Sequence, residues 1–581
     1  MRPQVRRLLV LTPLALCVCK TAPPSQPPID RSIPAASPSP KLAAEAEPVP
    51  PPTVYGHVRI AAPTALIEQI QQQLLPPAQR LMFNESTLRS IIGMQLGERS
   101  GLAQNVDLTR PMGCVVTSAK RYDQPMACAM AYTGGLDRLV EDLGREGYVS
   151  GGNGYAAYRI DGQPLYLTAM DTHVAMALAP DLTAGVRDRL QRDIIDAPAG
   201  DEDVEGAVFV ATIFEDIPEQ IEQFAESSAR APGTGQPIQQ AQRESQRRQL
   251  MSFGELERAD LWLDVAPQRV RLGYRGTARA GTATAKAYED LQRIPADPEL
   301  LEVLPAESFM VASMRFDPAS FADDPMLGSY IRSLGEMDDT GAAAATAEIY
   351  RKSLSLWQEI ATGHAAIGMF HLEGTLGGLV MAYRLEPGVD ALPKLRENLE
   401  RIGDIKQPDF PVETTVQRGK LRIGKVRGDL VTMRPSADLQ AKMKEGPAWD
   451  TISKAIGGSP QIQLAYAQHG DVLYMTFTVR NAKRYLARAL GAGRGKKNLG
   501  GDRSAMARLE RHQDSSMSML VDVRRALDWL VRVDAMERLS GPVGGEFDDV
   551  VLSMRPGAQG QREVLLDVSQ SLVDDLIALG G

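Results

Sequence analysis

The chain has 581 residues, 73 acidic against 64 basic side chains, a net charge of −9, and 43% hydrophobic residues. That length implies several domains, and that composition excludes a disordered or collagen-like chain for most of its extent. The acidic balance argues against a nucleic-acid partner, which needs clustered Lys and Arg to meet phosphates. Aromatics are only 5%, so the core must be built from aliphatic residues and from the 23 methionines.

Met1-Arg-Pro-Gln-Val-Arg-Arg7 is a basic opening, and Leu8–Val18 is an apolar run of signal-peptide length, too short to span a bilayer. Residues 1–19 therefore read as an export signal. Leu16-Cys17-Val18-Cys19 and Leu14-Ala15-Leu16-Cys17 each place a leucine three residues before a cysteine, and a polar, proline-rich stretch follows Lys20. In this the segment resembles the processing junction of a bacterial lipoprotein, with Val18 or Leu16 where a small residue is usual. The resemblance ends at that junction. It implies a lipid on Cys19, with Cys17 as the alternative, hence the membrane as a partner through a lipid anchor and a periplasmic or outer-membrane location. Cleavage without lipidation stays open. Residues 20–53 contain Pro-Pro-Ser-Gln-Pro-Pro and Pro-Val-Pro-Pro-Pro with few large apolar side chains, which predicts a disordered, partly polyproline tether.

The body opens at Val54 with a strand that turns into a helix at Pro63, and related strand-to-helix runs begin at Val208, Phe309 and Ser516. In the last three an aspartate (Asp216, Asp317, Asp522) stands at the turn, where its carboxylate can accept from free helical N–H groups. Between the first two runs, Met112–Ala119 and Pro125–Tyr132 read as a hairpin followed by a helix over Leu136–Leu143. Between the last two, Ala365–Leu372, Leu379–Tyr383 and Ala391–Leu399 repeat that order, and both hairpins share Met-Ala-Tyr. Closing strands and helices follow at Thr172–Leu178 with Leu182–Leu190, and at Asp471–Phe477 with Asn481–Leu490. The stretch from Gly254-Glu255 to Pro267 has a diverged copy from Gly545-Glu546 to Pro556.

The pattern predicts an α+β fold of tandem duplicated halves, antiparallel sheets covered by helices on one face. The first half spans 54–297 (long unit 54–200, short unit 205–297) and the second 298–581 (long unit 303–490, short unit 512–581). Polar insertions fall at Glu226–Leu250, Gly335–Ala347 and Gly491–Gly501.

Familiar chemistry is missing from the sequence. Gly495-Lys496 is followed by Lys497 and entered from a helix, which fails the P-loop spacing, so Gly491–Gly501 reads as a solvated basic loop. The six histidines form no zinc-binding pair, and there is no nucleophile elbow or Ser-x-x-Lys motif. No catalytic, cofactor-binding or metal-binding residue is nominated, and no cofactor is expected. Cys114 and Cys128 stand opposite each other if the hairpin turns about Lys120–Asp123, and in an oxidising envelope that predicts a disulfide. The leading expectation is a non-catalytic cell-envelope lipoprotein that binds or scaffolds an envelope protein or polymer. The alternatives are a periplasmic carrier of a hydrophobic ligand such as lipid, lined by Met- and Ala-rich strands, and an exported hydrolase.

Overall fold

A computed structural model describes residues 51–75, 84–95, 102–229, 250–318, 342–403, 412–441, 461–532 and 549–573, apart from short gaps and with a few isolated positions besides. Cys17, Cys19, nearly all of the tether, most of the first two insertions and Gly545–Asp548 lie outside the described residues. The chain divides into two compact units, with the main division between Val204 and Glu205 and with Gln72–Leu75 grouped with the second unit. Every described ladder in either unit is antiparallel.

The first unit holds β1 (Val54–Ile60), β2 (Met112–Thr117), β3 (Met126–Ala131), β4 (Tyr148–Gly152), β5 (Tyr155–Ile160), β6 (Gln163–Met170) and β7 (His173–Ala177). They pair in the order β1-β2-β3-β7-β6-β5-β4. The helix Pro63–Gln69 (α1) starts on the proline at its first turn, where the missing N–H costs nothing. Gly135–Leu143 (α2) places Leu136, Leu139 and Leu143 on one stripe, which packs on Met130, Leu167 and Val174. It stops at Gly144, whose φ of 67° suits a residue without a side chain. The opposite face of the sheet, Val115, Ala127, Ala129 and Ala175, is packed by Leu182 from Pro180–Gly185 (α3) and by Val186, Leu190 and Ile194 beyond it.

After β8 (Val204–Val208), the second unit holds β9 (Leu256–Ala266), β10 (Arg269–Ala278), β11 (Ser308–Arg315), β12 (Ala361–Phe370), β13 (Gly378–Leu385), β14 (Val412–Ile423), β15 (Val426–Pro435), β16 (Ile462–His469), β17 (Val472–Thr478), β18 (Met517–Asp522), β19 (Asp549–Pro556) and β20 (Gln561–Ser569). These pair in one run, β9-β10-β20-β19-β18-β11-β12-β13-β17-β16-β15-β14.

This order corrects the expectation of tandem halves. The hairpin β9-β10, assigned to a first half ending at 297, is hydrogen-bonded through β10 to β20 near the end of the chain. The proposed boundary at 297/298 therefore falls inside a continuous sheet. The reason is edge satisfaction: β10 and β20 match over nine residue pairs from Arg269↔Ser569 to Thr277↔Gln561, so each fills the other's open backbone groups. The order β11-β12-β13-β17-β16-β15-β14 does match the seven-strand order of the first unit. That is a shared connectivity and does not divide the chain into halves.

The helical cover is also corrected. Ala482–Ala492 (α4) packs Ala482, Leu486 and Leu490 against Val380, Ala382 and Ala465 on one face, whereas Leu356 and Ile360 of Ala342–Ile360 (α5) and Leu395 of Ala391–Gly403 (α6) pack against Leu464, Leu473 and Met475 on the other. β17 is buried at nearly every position, the mark of a strand covered on both faces. Toward β9 the described helices cover only part of the sheet.

Candidate functional site

The part of the second unit's sheet that the described helices leave uncovered carries a continuous apolar surface. Residues paired directly across an antiparallel ladder project to the same face, so the registers can be followed from strand to strand. Leu263, Leu272, Leu566, Leu552, Met519 and Ala312 form one cross-strand row from β9 to β11. Val265, Val270, Val568, Val550, Val521 and Met310 form the next row on one side. Leu261, Tyr274, Val564, Met554, Met517 and Met314 form it on the other.

No charged side chain interrupts these rows. Leu261 is 44% and Leu272 52% exposed, and of the rest only Val265 and Ala312 are fully buried. A contiguous apolar face that leaves leucines exposed is uncommon in a protein that does not use it, because each unburied leucine forgoes about 1.5–3 kcal/mol of burial. Beyond β11 the face passes under α5 and α6, where Met381 and Met475 join the core.

At the opposite end the face meets Ala283–Gln292 (α7), which packs Ala285 and Tyr288 toward Leu256, Tyr274 and Ala278. There the apolar rows stop at Arg562, opposite Gly276 on β10 and Pro556 on β19. Arg562 Nη2 donates to the Met554 sulfur at 3.0 Å, and its guanidinium lies 5.7 Å from the centre of the Tyr288 ring. Its Nε is buried and meets no acceptor among the described residues. Burial pushes the Tyr274 hydroxyl up to about 12, with Tyr288 adding to the rise and Arg562 opposing it. Burial likewise raises the Tyr288 hydroxyl against the pull of Arg562.

On the reverse face, the Trp262 ring lies over Gly273, where an added Cβ would fall 1.9 Å from the ring. Arg275 stacks on that indole at 5.3 Å. This side is a charged ladder, with Arg271 on Asp264 at 2.7 Å and Arg275 near Glu563 at 3.7 Å. Over β9, β10 and β20 the sheet is thus apolar on one face and largely ion-paired on the other, whereas on β11, β18 and β19 the reverse face carries Val311, Leu520 and Val551 into the core.

Other polar groups hold the fold. Asp429, fully buried, accepts from Arg396 at 2.5 and 3.0 Å and from the Gly419 N–H at 2.6 Å. A shallow depression of about 420 Å³ is lined by Glu386, Asp390, Gln468 and Asp471. Most of its polar groups are engaged: Gln468 accepts from the Ala391 N–H and donates to Val389 O, Asp390 accepts from the Leu392 N–H, and Asp471 pairs with Arg384.

Cys114 and Cys128 face each other on β2 and β3 and are joined by a disulfide. Asp522 accepts from the Arg525 N–H at 2.9 Å and caps Val523–Arg532, as its place in the sequence predicts. Asp216 instead closes the helix Val210–Asp216, and the helix anticipated after Asp317 falls in undescribed residues. Glu255, from the repeated Gly-Glu stretch, accepts from the Thr284 N–H at 2.8 Å and caps α7. In the loop after α4, the amides of Arg494, Gly495 and Lys496 are spent on Gly491 and Ala492 carbonyls, so no phosphate cradle forms. Among the described residues no group of three His, Cys, Asp or Glu side chains is placed to hold a metal ion, and no helix is long and apolar enough to cross a membrane.

The apolar face and Arg562 are absent from the residues nominated on sequence grounds. The available signal was the alternation of apolar residues in Val564-Leu565-Leu566-Asp567-Val568 and the methionines of Ser516–Leu520. No family model matches the chain, and no curated protein or solved structure matches it either.

Proposed function

We propose that the protein is a non-catalytic cell-envelope lipoprotein, tethered through Cys19, whose body carries a hydrophobic ligand on the apolar face of the second unit. The observation that carries the reading is the set of three uninterrupted rows of Leu, Val and Met from β9 to β11, half-buried and with exposed leucines among them. Methionine side chains, unbranched and polarizable, adapt to ligands of irregular shape. We put the carrier reading ahead of a scaffold for protein or polymer because the rows run uninterrupted by any charge from β9 to β11. The basic opening, the apolar run to Val18 and the cysteine after it support export and anchoring. The Cys114–Cys128 bridge is compatible with an oxidising compartment.

Native mass spectrometry of protein purified without detergent is expected to reveal bound lipid. An apolar fluorophore that brightens on burial should bind, and Leu272→Glu with Leu552→Glu should weaken it at least about tenfold while the circular dichroism stays unchanged. A wild-type protein that neither carries lipid nor binds the fluorophore overturns the carrier reading. For the anchor, Cys19→Ser should move the full chain from the membrane fraction to the soluble one. Unchanged membrane association after replacing both Cys17 and Cys19 would remove the tether from the proposal.

A further inference from the structure

The apolar face ends on a charge. Arg562 occupies the row beyond Tyr274, Val564 and Met554, on the same side of the sheet, where an apolar residue would have continued the surface. Arg562 is half-buried and its Nε lies out of water, and a buried guanidinium N–H is costly unless an anion or a hydrogen-bond acceptor compensates it. Arg562 has neither among the described residues: its contacts are a thioether, which is a weak acceptor, and the face of an aromatic ring. Its Nε and Nη2 share the edge that pairs bidentately with a carboxylate, and that edge now meets only Met554. From Arg562 the same face runs along β20 through Val564 and Leu566 to Val568, a span of about 20 Å. Tyr274 and Tyr288 flank the head of this track.

We propose that the ligand is a long-chain carboxylate, its anionic head on Arg562 and its tail along β20 across the leucine and methionine rows. This rests on the carrier reading and adds the ligand's chemical class and orientation. The ligand's carboxylate supplies the counter-charge that no described residue does, and the tail lies beside the exposed Leu272, the partner of Leu566. Displacement of Met554 from Nη2 costs little, since a charged acceptor replaces a weak one.

The test compares hexadecanoate with hexadecanol, equal in chain length and different in charge, by displacement of an apolar fluorophore from the full chain. Wild-type protein is expected to bind the carboxylate about tenfold to a hundredfold more tightly than the alcohol, the range of one charge-assisted bidentate pair. Arg562→Gln should abolish that preference and leave the alcohol affinity unchanged, which also reports an intact fold. Arg562→Lys should restore part of it. Equal affinities in the wild type would overturn the head-group assignment and leave the carrier reading standing. Binding of neither compound would overturn both. A preference that survives Arg562→Gln, or a variant that loses both compounds equally, would take the role away from Arg562.

Discussion

Two runs of strands in this molecule follow the same seven-strand order and are finished differently. In the first unit β2 and β3 are joined by Cys114–Cys128. In the second, the shared Met-Ala-Tyr run aligns Cys128 with Leu379, whose cross-strand partner on β12 is Met369. There the pair is held by packing, and the sheet continues past β11 through β18, β19, β20, β10 and β9. A smaller unit buries less apolar surface per residue, so a covalent staple contributes relatively more to it. The longer sheet needs no staple, and its extra strands create the apolar face. The lesson is that one connectivity carries a disulfide staple in one place and is extended into a platform in another.

All four tryptophans, Trp262, Trp357, Trp449 and Trp529, lie after Val204. Tryptophan fluorescence therefore follows the second unit alone, while far-ultraviolet circular dichroism follows both, and the comparison can be broken into its parts. The largest expected effect is Asp429→Ala. Leaving Arg396 without its buried partner should destabilise the second unit by about 3–5 kcal/mol, read as an earlier fluorescence transition in urea. Burial raises the Asp429 carboxyl, but the Arg396 and Gly419 hydrogen bonds outweigh it and hold it below the ordinary value of 3.8. Its contribution is present above that value and is lost as pH falls through the lower folded one. An equal shift of the circular dichroism signal from the first unit would break the assumed independence.

Next is a pH effect on the same unit. His512 is buried, its Nδ1 accepts from Arg555 at 3.1 Å, and burial together with Arg555, Arg511 and Arg269 pushes it from 6.5 down to about 4. Between those values the unfolded chain takes up a proton that the folded one refuses, so stability falls as pH falls, by about 3 kcal/mol at most. His512→Asn should flatten that part of the fluorescence-detected profile, and an unchanged slope would contradict the assignment. His173 in the first unit is lowered by burial in the same sense, so circular dichroism should retain a slope of that sign in the variant.

Reducing Cys114–Cys128, or replacing both by serine, is expected to cost the first unit about 2–3 kcal/mol, with the tryptophan transition unmoved. Movement of both transitions together would show that the staple is not local. The smallest effect is Leu272→Gln, which should change stability by less than about 0.5 kcal/mol because the side chain is 52% exposed, yet weaken fluorophore binding measurably. A large loss of stability instead would make Leu272 a core residue and not part of a binding surface.

Much of the local structure was legible. The hairpin β2-β3, the helix after it and the strand-helix pair from Val472 to Ala492 lie within a few residues of the positions read from periodicity. The Cys114–Cys128 bridge followed from a hairpin turn that short-range spacing defines. Asp522 was recognisable as a cap for the same reason, since its partner Arg525 is three residues away. The candidate site was not legible, because its members come from β9, β10, β11, β18, β19 and β20 and meet only through ladders between distant parts of the chain. Arg562 reads in sequence as an ordinary surface cation, and only the packing of Met554 and Tyr288 around it sets it apart.

The sequence by itself determined the β2-β3 hairpin, the helix after it, the strand-helix pair from Val472 to Ala492 and which cysteines meet, because hydrophobic period, turn residues and caps act over a few residues. Only the tertiary structure decided that β10 joins β20, that the chain does not fold as two halves and that one face of the sheet is a continuous apolar surface with Leu261 and Leu272 exposed on it. Strand edges carry the same unpaired N–H and C=O groups everywhere, so their partners are chosen by the fit of whole faces, which local pattern does not contain.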